Sequence, residues 1–115
     1  MGVELETDGG ERRVVLVGDV DARCTDRLRA ALDAALAAAD PVDTDGLVVV
    51  DMRRVDCVDL VALRVLAAAS YRAGARGRRL VLRSVPPAVR RLLHLSHLIR
   101  VVEVEQSGPA EREPA

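Results

Sequence analysis

The sequence predicts a single α/β domain, built on a four-to-five-stranded mixed sheet with an N-terminal hairpin and three or so helices. The chain of 115 residues is too short for two ordinary domains. Half of its residues are apolar but only one, Tyr71, is aromatic, so the core must consist of aliphatic side chains. Strand-like and helix-like patterns alternate along residues 1–105, whereas residues 106–115 are polar and rich in proline and charge. We therefore expect one domain over residues 1–105 and a disordered tail over 106–115.

The first third of the chain predicts a hairpin followed by a helix. Residues 3–7 and 13–17 have strand composition, and the Asp8-Gly9-Gly10 turn between them offers the positive φ that a tight hairpin needs. Thr25 is the expected N-cap of the first helix, which ends near Asp40-Pro41. A polar loop over residues 42–46 follows the helix. Its apolar positions recur at helical spacing: Leu28, Ala31, Leu32, Ala35 and Leu36.

The middle of the chain predicts a buried strand that leads directly into a second helix. Residues 46–52, GLVVVDM, form an apolar run with three β-branched valines in succession, typical of a central strand covered on both faces. Asp59 is then placed to cap a helix of about 15 residues, which ends at Gly74 or Gly77. The apolar side of this helix is predicted at Leu60, Leu63, Leu66, Ala67 and Ser70.

The last third predicts a strand, a helix and a final strand. Residues 78–84 have strand composition, and Pro86-Pro87 favours the first turn of a helix with Val89, Leu92, Leu93 and His97 facing inward. Residues 98–104 are the expected last strand. The crossover helices require the later strands to be parallel, and helix starts then lie at the edge where ligands and partners bind. Residues 19–24 and 56–62 both belong to that edge.

Composition argues against several classes of function. The formal net charge of −1 gives no electrostatic basis for generic binding of nucleic acid or anionic membranes. No apolar run approaches the roughly 18 residues of a membrane span. The first residues are acidic, where a signal peptide is basic and then apolar. We therefore expect a cytoplasmic protein that binds neither nucleic acid nor membrane.

Catalytic or cofactor-binding motifs are not evident in the sequence. The glycines lack the spacing of a phosphate-binding loop. His94 and His97 lie three positions apart but have no nearby cysteine or suitably spaced carboxylate, so no metal site is predicted. Asp19 and Asp21 are either a carboxylate pair or residues that form a turn and cap a helix. No cofactor and no enzymatic activity are expected.

The two cysteines, Cys24 and Cys57, are predicted to lie near the same edge of the sheet. They are too few to form a disulfide framework, and a reducing compartment leaves them as thiols. A redox switch is one interpretation; the favoured one is that both are small buried residues.

Three stretches resemble the STAS domain, the fold of bacterial anti-sigma factor antagonists, over about residues 3–105. They are VVLVGDVD before the first helix, LVVVDMRRVDCVDLVALRVL across the second strand–helix pair, and PPAVRRLLHLSHLIRVVEV at the end. The resemblance implies a regulatory protein without catalysis. Its partner would be an anti-sigma factor that is also a serine kinase, and its output would be sigma-factor-dependent transcription.

The resemblance breaks at the phosphorylation site. Family members begin the second helix with Asp-Ser-Ser-Gly or Asp-Ser-Thr-Gly, and the kinase phosphorylates the second hydroxyl, where free N–H groups and the helix dipole accommodate phosphate. Asp59 matches the family aspartate, but Val61 replaces the acceptor and cannot be phosphorylated. We therefore expect constitutive partner binding. The predicted contact residues are Asp19, Asp21, Cys57, Asp59, Leu60, Val61 and Ala62. Thr25, Ser84 and Ser96 are the alternative phosphorylation sites.

Other functions stay open from the sequence. The chain could be a structural or ligand-binding STAS subunit, a homodimer formed through the apolar helix start, or a small-ligand α/β domain that uses the same edge. Leu60 and Val61 could also simply pack inward. A deep polar pocket would favour ligand binding, whereas a flat apolar edge with Asp21 and Asp59 at its rim would favour a protein-binding module.

Overall fold

The computed structural model describes residues 2–8, 11–37 and 47–105, which form a five-stranded sheet with three α-helices. The strands are β1 (Gly2–Asp8), β2 (Glu11–Val20), β3 (Leu47–Val58), β4 (Arg79–Arg83) and β5 (Glu103–Val104). The helices are α1 (Thr25–Ala37), α2 (Leu60–Ala75) and α3 (Pro87–Leu95), with short 3₁₀ helices at Ala22–Cys24 and Leu98–Arg100. The predicted turn glycines, the loop at 42–46, the end of the first helix near Asp40-Pro41 and the tail at 106–115 lie outside the described residues.

The sheet order follows the chain order, β1 to β5. β1 and β2 are antiparallel, with Val3 opposite Leu16, which confirms the predicted N-terminal hairpin. β2, β3, β4 and β5 are parallel to one another, because a crossover separates each consecutive pair. The predicted α/β architecture with a mixed sheet is thus confirmed.

All three helices bury their apolar sides in one core on the same face of the sheet. Alternate strand residues supply the sheet side of this core, as the period of two in a β-strand requires. They include Val14, Leu16, Val48, Val50, Leu80 and Leu82. The helices contribute residues such as Leu28, Leu32, Leu63, Leu66, Val89 and Leu93. The aliphatic core expected from the composition is confirmed.

The opposite face of the sheet carries Val15, Val49 and Val81, which are buried although they do not belong to the helix-facing core. Ion pairs join neighbouring strands on this face. Arg13 lies 3.6 Å from Glu6, Arg83 lies 2.7 Å from Glu105, and Arg79 pairs with Glu103. The aliphatic stems of such arginines cover apolar surface. β3 is therefore buried on both faces, as predicted, but polar side chains shield the second face.

Strand β3 extends to Val58, well beyond the predicted end at residue 52. The charged residues Arg53 and Arg54 are exposed, and the strand nevertheless continues because β2 also runs on beside it to Val20. Irregularities in the β2–β3 register, with Gly18 at a φ of +83°, accommodate this extension. Because polar residues interrupt the strand, a prediction based on apolar runs did not include the part of β3 beyond residue 52.

The predicted last strand at 98–104 is wrong for its first half. His97 adopts a left-handed conformation with a φ of +66°, and Leu98–Arg100 form a 3₁₀ helix, so β5 is reduced to Glu103–Val104. The prediction that His97 faces inward is also wrong, since the side chain is exposed past the end of α3. Val89 and Leu93 are buried as predicted, and Leu92 is half-buried.

The start of the first helix also differs from the prediction. Asp21, not Thr25, is the N-cap, and it precedes the 3₁₀ turn Ala22–Cys24 that leads into α1. Thr25 is the first residue of α1, and its hydroxyl donates a hydrogen bond back to the carbonyl oxygen of Ala22 at 3.3 Å. In the described part of the chain, no helix combines the length and apolar character required to cross a bilayer.

Candidate functional site

The carboxyl ends of β2 and β3 lie side by side and bring the two predicted loop segments together. Asp19 pairs in register with Cys57, and Val20 pairs with Val58. The backbone N–H of Asp59 then donates to the carbonyl oxygen of Val20 at 3.1 Å. As a result, the starts of the Ala22–Cys24 turn and of α2 are neighbours at one edge of the sheet.

Asp59 joins these two segments through its side chain. Its extended backbone, with a φ of −94° and a ψ of 173°, is the conformation of an N-cap residue. Oδ1 accepts a hydrogen bond from the N–H of Ala62 at 2.9 Å, which satisfies one of the free donors at the start of α2. Oδ2 accepts from the N–H of Ala22 at 3.0 Å. One carboxylate therefore caps the helix and fixes the neighbouring turn.

Asp21 caps the 3₁₀ turn and forms a close ion pair with Arg23. Its Oδ1 accepts from the backbone N–H of Arg23 at 3.0 Å, and its Oδ2 lies 2.8 Å from Nη2 of the same arginine. The hydrogen bond from the guanidinium, together with the backbone hydrogen bond, lowers the pKa of Asp21 to about 2. Asp21 is consequently a fixed negative charge at neutral pH. The capping role that the sequence allowed for it is what the structure shows.

Cys57 and Asp19 form a second contact at this edge. The Cys57 thiol donates to Oδ1 of Asp19 at 3.1 Å. This hydrogen bond is the main cause of a raised pKa for Cys57, with smaller contributions from desolvation and from the charges of Asp19, Asp21 and Asp56. Cys57 is therefore held as a neutral thiol by carboxylates, and it is a weak nucleophile at neutral pH.

The prediction that both cysteines are buried is wrong for Cys57. Both thiols are free, but Cys24 is half-buried and Cys57 is exposed. The sulfur of Cys24 lies 3.6 Å from Oδ1 of Asp21. Both cysteines thus contact the acidic loop residues at the edge that the sequence predicted.

The first turn of α2 alternates between surface and core. Leu60 is half-buried, Val61 is 45 % exposed, and Ala62 is fully buried. Ala62 therefore cannot offer a side chain to a partner, contrary to its place in the predicted contact set, because the third position of α2 faces the core. Only its backbone N–H takes part, through Asp59. The alternative that Val61 packs inward is wrong as well.

Asp19, Asp21 and Asp59 line neither of two surface cavities in the described part of the chain. The larger, of about 240 Å³, is lined by Val61, Val65, Ala68, Arg29, Arg64 and Arg72. The smaller, of about 110 Å³, is lined by Glu6, Arg13, Val15, Asp51, Arg53 and Arg54. Both are smaller than the roughly 300 Å³ at which small-molecule sites begin.

A metal centre has no support in the geometry of the described residues, in which no three side chains of suitable type converge. His94 and His97 are both exposed near the end of α3. Asp19, Asp21, Asp56 and Asp59 instead lie at the carboxyl ends of β2 and β3, and we call these four residues the acidic edge. The carboxylates at that edge are instead engaged with backbone N–H groups, a guanidinium and a thiol. Asp21 and Asp59 cap helix starts, and Asp19 accepts the hydrogen bond of the Cys57 thiol.

Three arginines beside Val61 were not among the predicted site residues. Arg64 and Arg72 lie on α2, and Arg29 reaches the same cavity from α1. The sequence contained a signal for Arg64 and Arg72, because positions 61, 64, 68 and 72 recur at helical spacing and therefore share one side of α2. Arg29 could not have been included, because its place depends on how α1 packs against α2.

Comparisons with known proteins found a matching family model and several solved structures with a similar fold. A family model described as "Mlab, STAS domain" matches residues 3–103. An anti-sigma factor antagonist from Mycobacterium paratuberculosis is 24% identical, with a TM-score of 0.76 over 95% of this chain and 88% of that chain. The phosphorylated Bacillus cell fate determinant SpoIIAA is 17% identical, with a TM-score of 0.66 over 95% of this chain and 96% of that chain.

A transport-related structure shares the fold too. A sulfate transporter family protein from Wolinella succinogenes is 20% identical, with a TM-score of 0.66 over 86% of this chain and 79% of that chain. No curated protein sequence matches the chain. At these identities the solved structures establish a shared fold.

Proposed function

The chain belongs to the STAS-domain family, and from this premise we propose that it is a non-enzymatic protein-binding regulator of the anti-sigma factor antagonist type. Its partner is an anti-sigma factor with serine kinase activity, and binding releases sigma-factor-dependent transcription in a bacterial cell. Such a regulator acts in the cytoplasm, where Cys24 and Cys57 remain thiols.

The observation that carries this proposal is the exposed Val61 beside a fixed acidic edge. Val61 is 45 % exposed in the first turn of α2, directly after the cap Asp59. An apolar side chain surrounded by oriented charges suits docking, in which the apolar group is buried and the charges select the partner. The proposed contact residues are Asp19, Asp21, Cys57, Asp59, Leu60 and Val61.

The same position implies that binding is not switched off by phosphate there. Neither Leu60 nor Val61 has a hydroxyl group, so a kinase cannot modify the first turn of α2. In a protein with an acceptor at this place, two added negative charges would disrupt the docked surface. We therefore infer constitutive binding, with Thr25, Ser84 and Ser96 as the remaining candidate acceptors.

A second candidate function is that of a STAS subunit in a larger assembly, including one that serves transport. The valine at the acceptor position favours this alternative, since a permanently assembled subunit needs no phosphorylation switch. The fold shared with a sulfate transporter family protein is compatible with it. The identity of the bound partner distinguishes these two functions. A homodimer formed through Val61, the other alternative from the sequence, would be detected as self-association of the protein.

Affinity capture from the source cells tests the proposal, with wild type compared against Val61→Arg. Val101→Arg is the matched control, because Val101 is 46 % exposed and Val61 is 45 % exposed. We expect wild type and Val101→Arg to retain the same anti-sigma kinase, identified by mass spectrometry, and Val61→Arg to lose it. Retention by all three proteins would show that the α2 start is not the contact surface. Recovery of transport components would instead establish the second candidate.

Incubation with the captured kinase and ATP tests the missing switch. Peptide mass spectrometry should show no phosphate within residues 56–66 of the wild type. Val61→Ser restores a hydroxyl at the acceptor position and should gain one phosphate on that segment. Phosphate on the corresponding wild-type segment would contradict the alignment of Val61 with the acceptor.

A further inference from the structure

A groove between α1 and α2 adjoins the exposed Val61. The cavity of about 240 Å³ in this groove has Val61, Val65 and Ala68 as its apolar part. Every charged residue that lines it is an arginine: Arg29, Arg64 and Arg72. The groove thus combines a small apolar floor with a positively charged rim.

The lining follows one stripe of α2. Val61, Arg64, Ala68 and Arg72 recur at intervals of three and four residues, so their side chains lie along one side of the helix. Arg29 faces this stripe from α1. A long, narrow surface of this kind matches the side of an extended or helical peptide segment.

The arginines are available for a partner. Arg72 lies 2.9 Å from Asp33, and Arg29 lies 3.7 Å from Asp26, with both pairs open to solvent. Exposed pairs of this kind stabilise a fold by about 0–1 kcal/mol, so their partners can be exchanged on docking. Within residues 2–8, 11–37 and 47–105, Arg64 has no ion-pair partner.

The opposite side of Val61 has the opposite charge. Asp19, Asp21 and Asp56 surround Cys57 at the ends of β2 and β3. Val61 therefore lies between an acidic edge and a basic groove. A polyanion such as nucleic acid or an anionic membrane would be repelled by the edge, and the formal net charge of −1 gives it no compensating attraction. A protein partner, in contrast, can place acidic groups against the groove and basic groups against the acidic edge.

We propose that the α1–α2 groove is the docking site for an acidic amphipathic segment of the partner protein. Its apolar side chains cover Val61, Val65 and Ala68, and its carboxylates face Arg29, Arg64 and Arg72. This inference rests on the proposed function and adds the chemistry of the partner. Basic residues elsewhere on the partner would then meet the acidic edge, which fixes the direction in which the segment lies.

Site-specific photo-crosslinking tests the groove in the full chain. The crosslinking residue p-benzoylphenylalanine replaces Ala68 in the groove, Asp56 at the acidic edge, or Leu95, which is 71 % exposed on α3. After irradiation in extracts of the source cells, the crosslinked peptides are sequenced by mass spectrometry. We expect the crosslinkers at positions 56 and 68 to capture the same protein, and the one at position 68 to be attached to an acidic peptide of that protein. The crosslinker at position 95 should not capture this protein.

Binding of that captured peptide, made synthetically with a fluorophore, gives the second measurement. We expect Arg64→Glu to weaken binding roughly tenfold, as is typical for reversal of a contacting charge. The matched control is Arg91→Glu, an exposed arginine on α3, which should bind within about twofold of wild type. A peptide with lysine in place of its acidic residues should prefer Arg64→Glu over wild type.

The outcomes separate this inference from the proposed function. Capture at position 56 without capture at position 68, or capture of a basic peptide at 68, would refute the groove and leave the regulator intact. No crosslink at either position would refute both. Binding of duplex DNA or phosphatidylglycerol vesicles that Arg64→Glu abolishes would assign the arginines to a phosphate ligand and overturn the peptide assignment.

Discussion

The carboxylate of Asp59 accepts a hydrogen bond from the backbone N–H of Ala22 at 3.0 Å, although 37 positions separate the two residues. The same side chain caps α2 through Ala62. Because one residue holds both segments, the acidic edge and the start of α2 form a preorganised surface. A partner then pays little entropy for ordering it. Asp59 is thus a positioning residue for the proposed contact as well as a helix cap.

Replacement of Asp59 by alanine should lower the free energy of unfolding by about 1–2 kcal/mol. Loss of an N-cap costs about 1 kcal/mol, and the N–H of Ala22 loses its partner as well. Urea unfolding followed by circular dichroism measures the change. Asp56→Ala is the control, because Asp56 is an exposed residue of β3, three positions before Asp59, and its replacement should change stability by less than about 0.5 kcal/mol. Equal stability of the two variants would contradict the bridging role of Asp59.

The sequence was sufficient to predict the alternation of strands and helices and the role of Asp59. Hydrophobic periodicity and capping chemistry are local, so α2, its cap and the parallel strands could be inferred without coordinates. The meeting of residues 19–24 and 56–62 followed from the rule that parallel strands share their carboxyl edge.

Other features depended on tertiary pairing. The extension of β3 through Arg53 and Arg54 is stabilised by its pairing with β2, and no apolar pattern signals it. The left-handed conformation at His97 precedes the 3₁₀ helix that replaces the first half of the expected strand. A residue other than glycine at positive φ is not evident from composition. The burial of Ala62 and the approach of Arg29 to α2 required the packing of helices against the sheet.

Replacement of Val61 by glutamate should weaken partner binding without loss of stability. The side chain is 45 % exposed in the first turn of α2, where a negative charge interacts favourably with the helix dipole by about 0.3–1 kcal/mol. Arg64 follows three positions later and can pair with the new carboxylate. We expect an unchanged or slightly higher melting temperature, together with weaker binding of the captured partner by isothermal titration calorimetry.

Two comparisons make that result specific. Val61→Ala removes apolar surface without adding charge and should reduce binding less than Val61→Glu. Val101→Glu places the same charge at a site of similar exposure and should leave binding unchanged. A marked fall in the melting temperature of Val61→Glu would mean that Val61 packs as part of the core.

Asp19→Asn should speed alkylation of Cys57. The hydrogen bond from the thiol to the Asp19 carboxylate is the main cause of the raised pKa of Cys57. Removal of this negative charge lowers the pKa and increases the thiolate fraction, which is the reactive form. Iodoacetamide labelling followed by peptide mass spectrometry, in a Cys24→Ser background, measures the rate at neutral pH. Asp33→Asn, far along α1, serves as the control, and equal rates in all three proteins would contradict the role of Asp19.

The Asp21–Arg23 ion pair should keep the Asp21 carboxylate ionised to low pH. The pKa of Asp21 in the folded protein is about 2, below its ordinary value of 3.8. Since the folded pKa is the lower one, the stabilisation is fully present above pH 3.8 and is lost as the pH falls through the folded pKa near 2. Carbon-detected NMR titration of the Asp21 carboxyl should show a midpoint near 2. Arg23→Ala should move that midpoint upward, though not fully, because the backbone N–H at position 23 still donates to Asp21. A midpoint that is unchanged in Arg23→Ala would show that the guanidinium does not hold the pKa down.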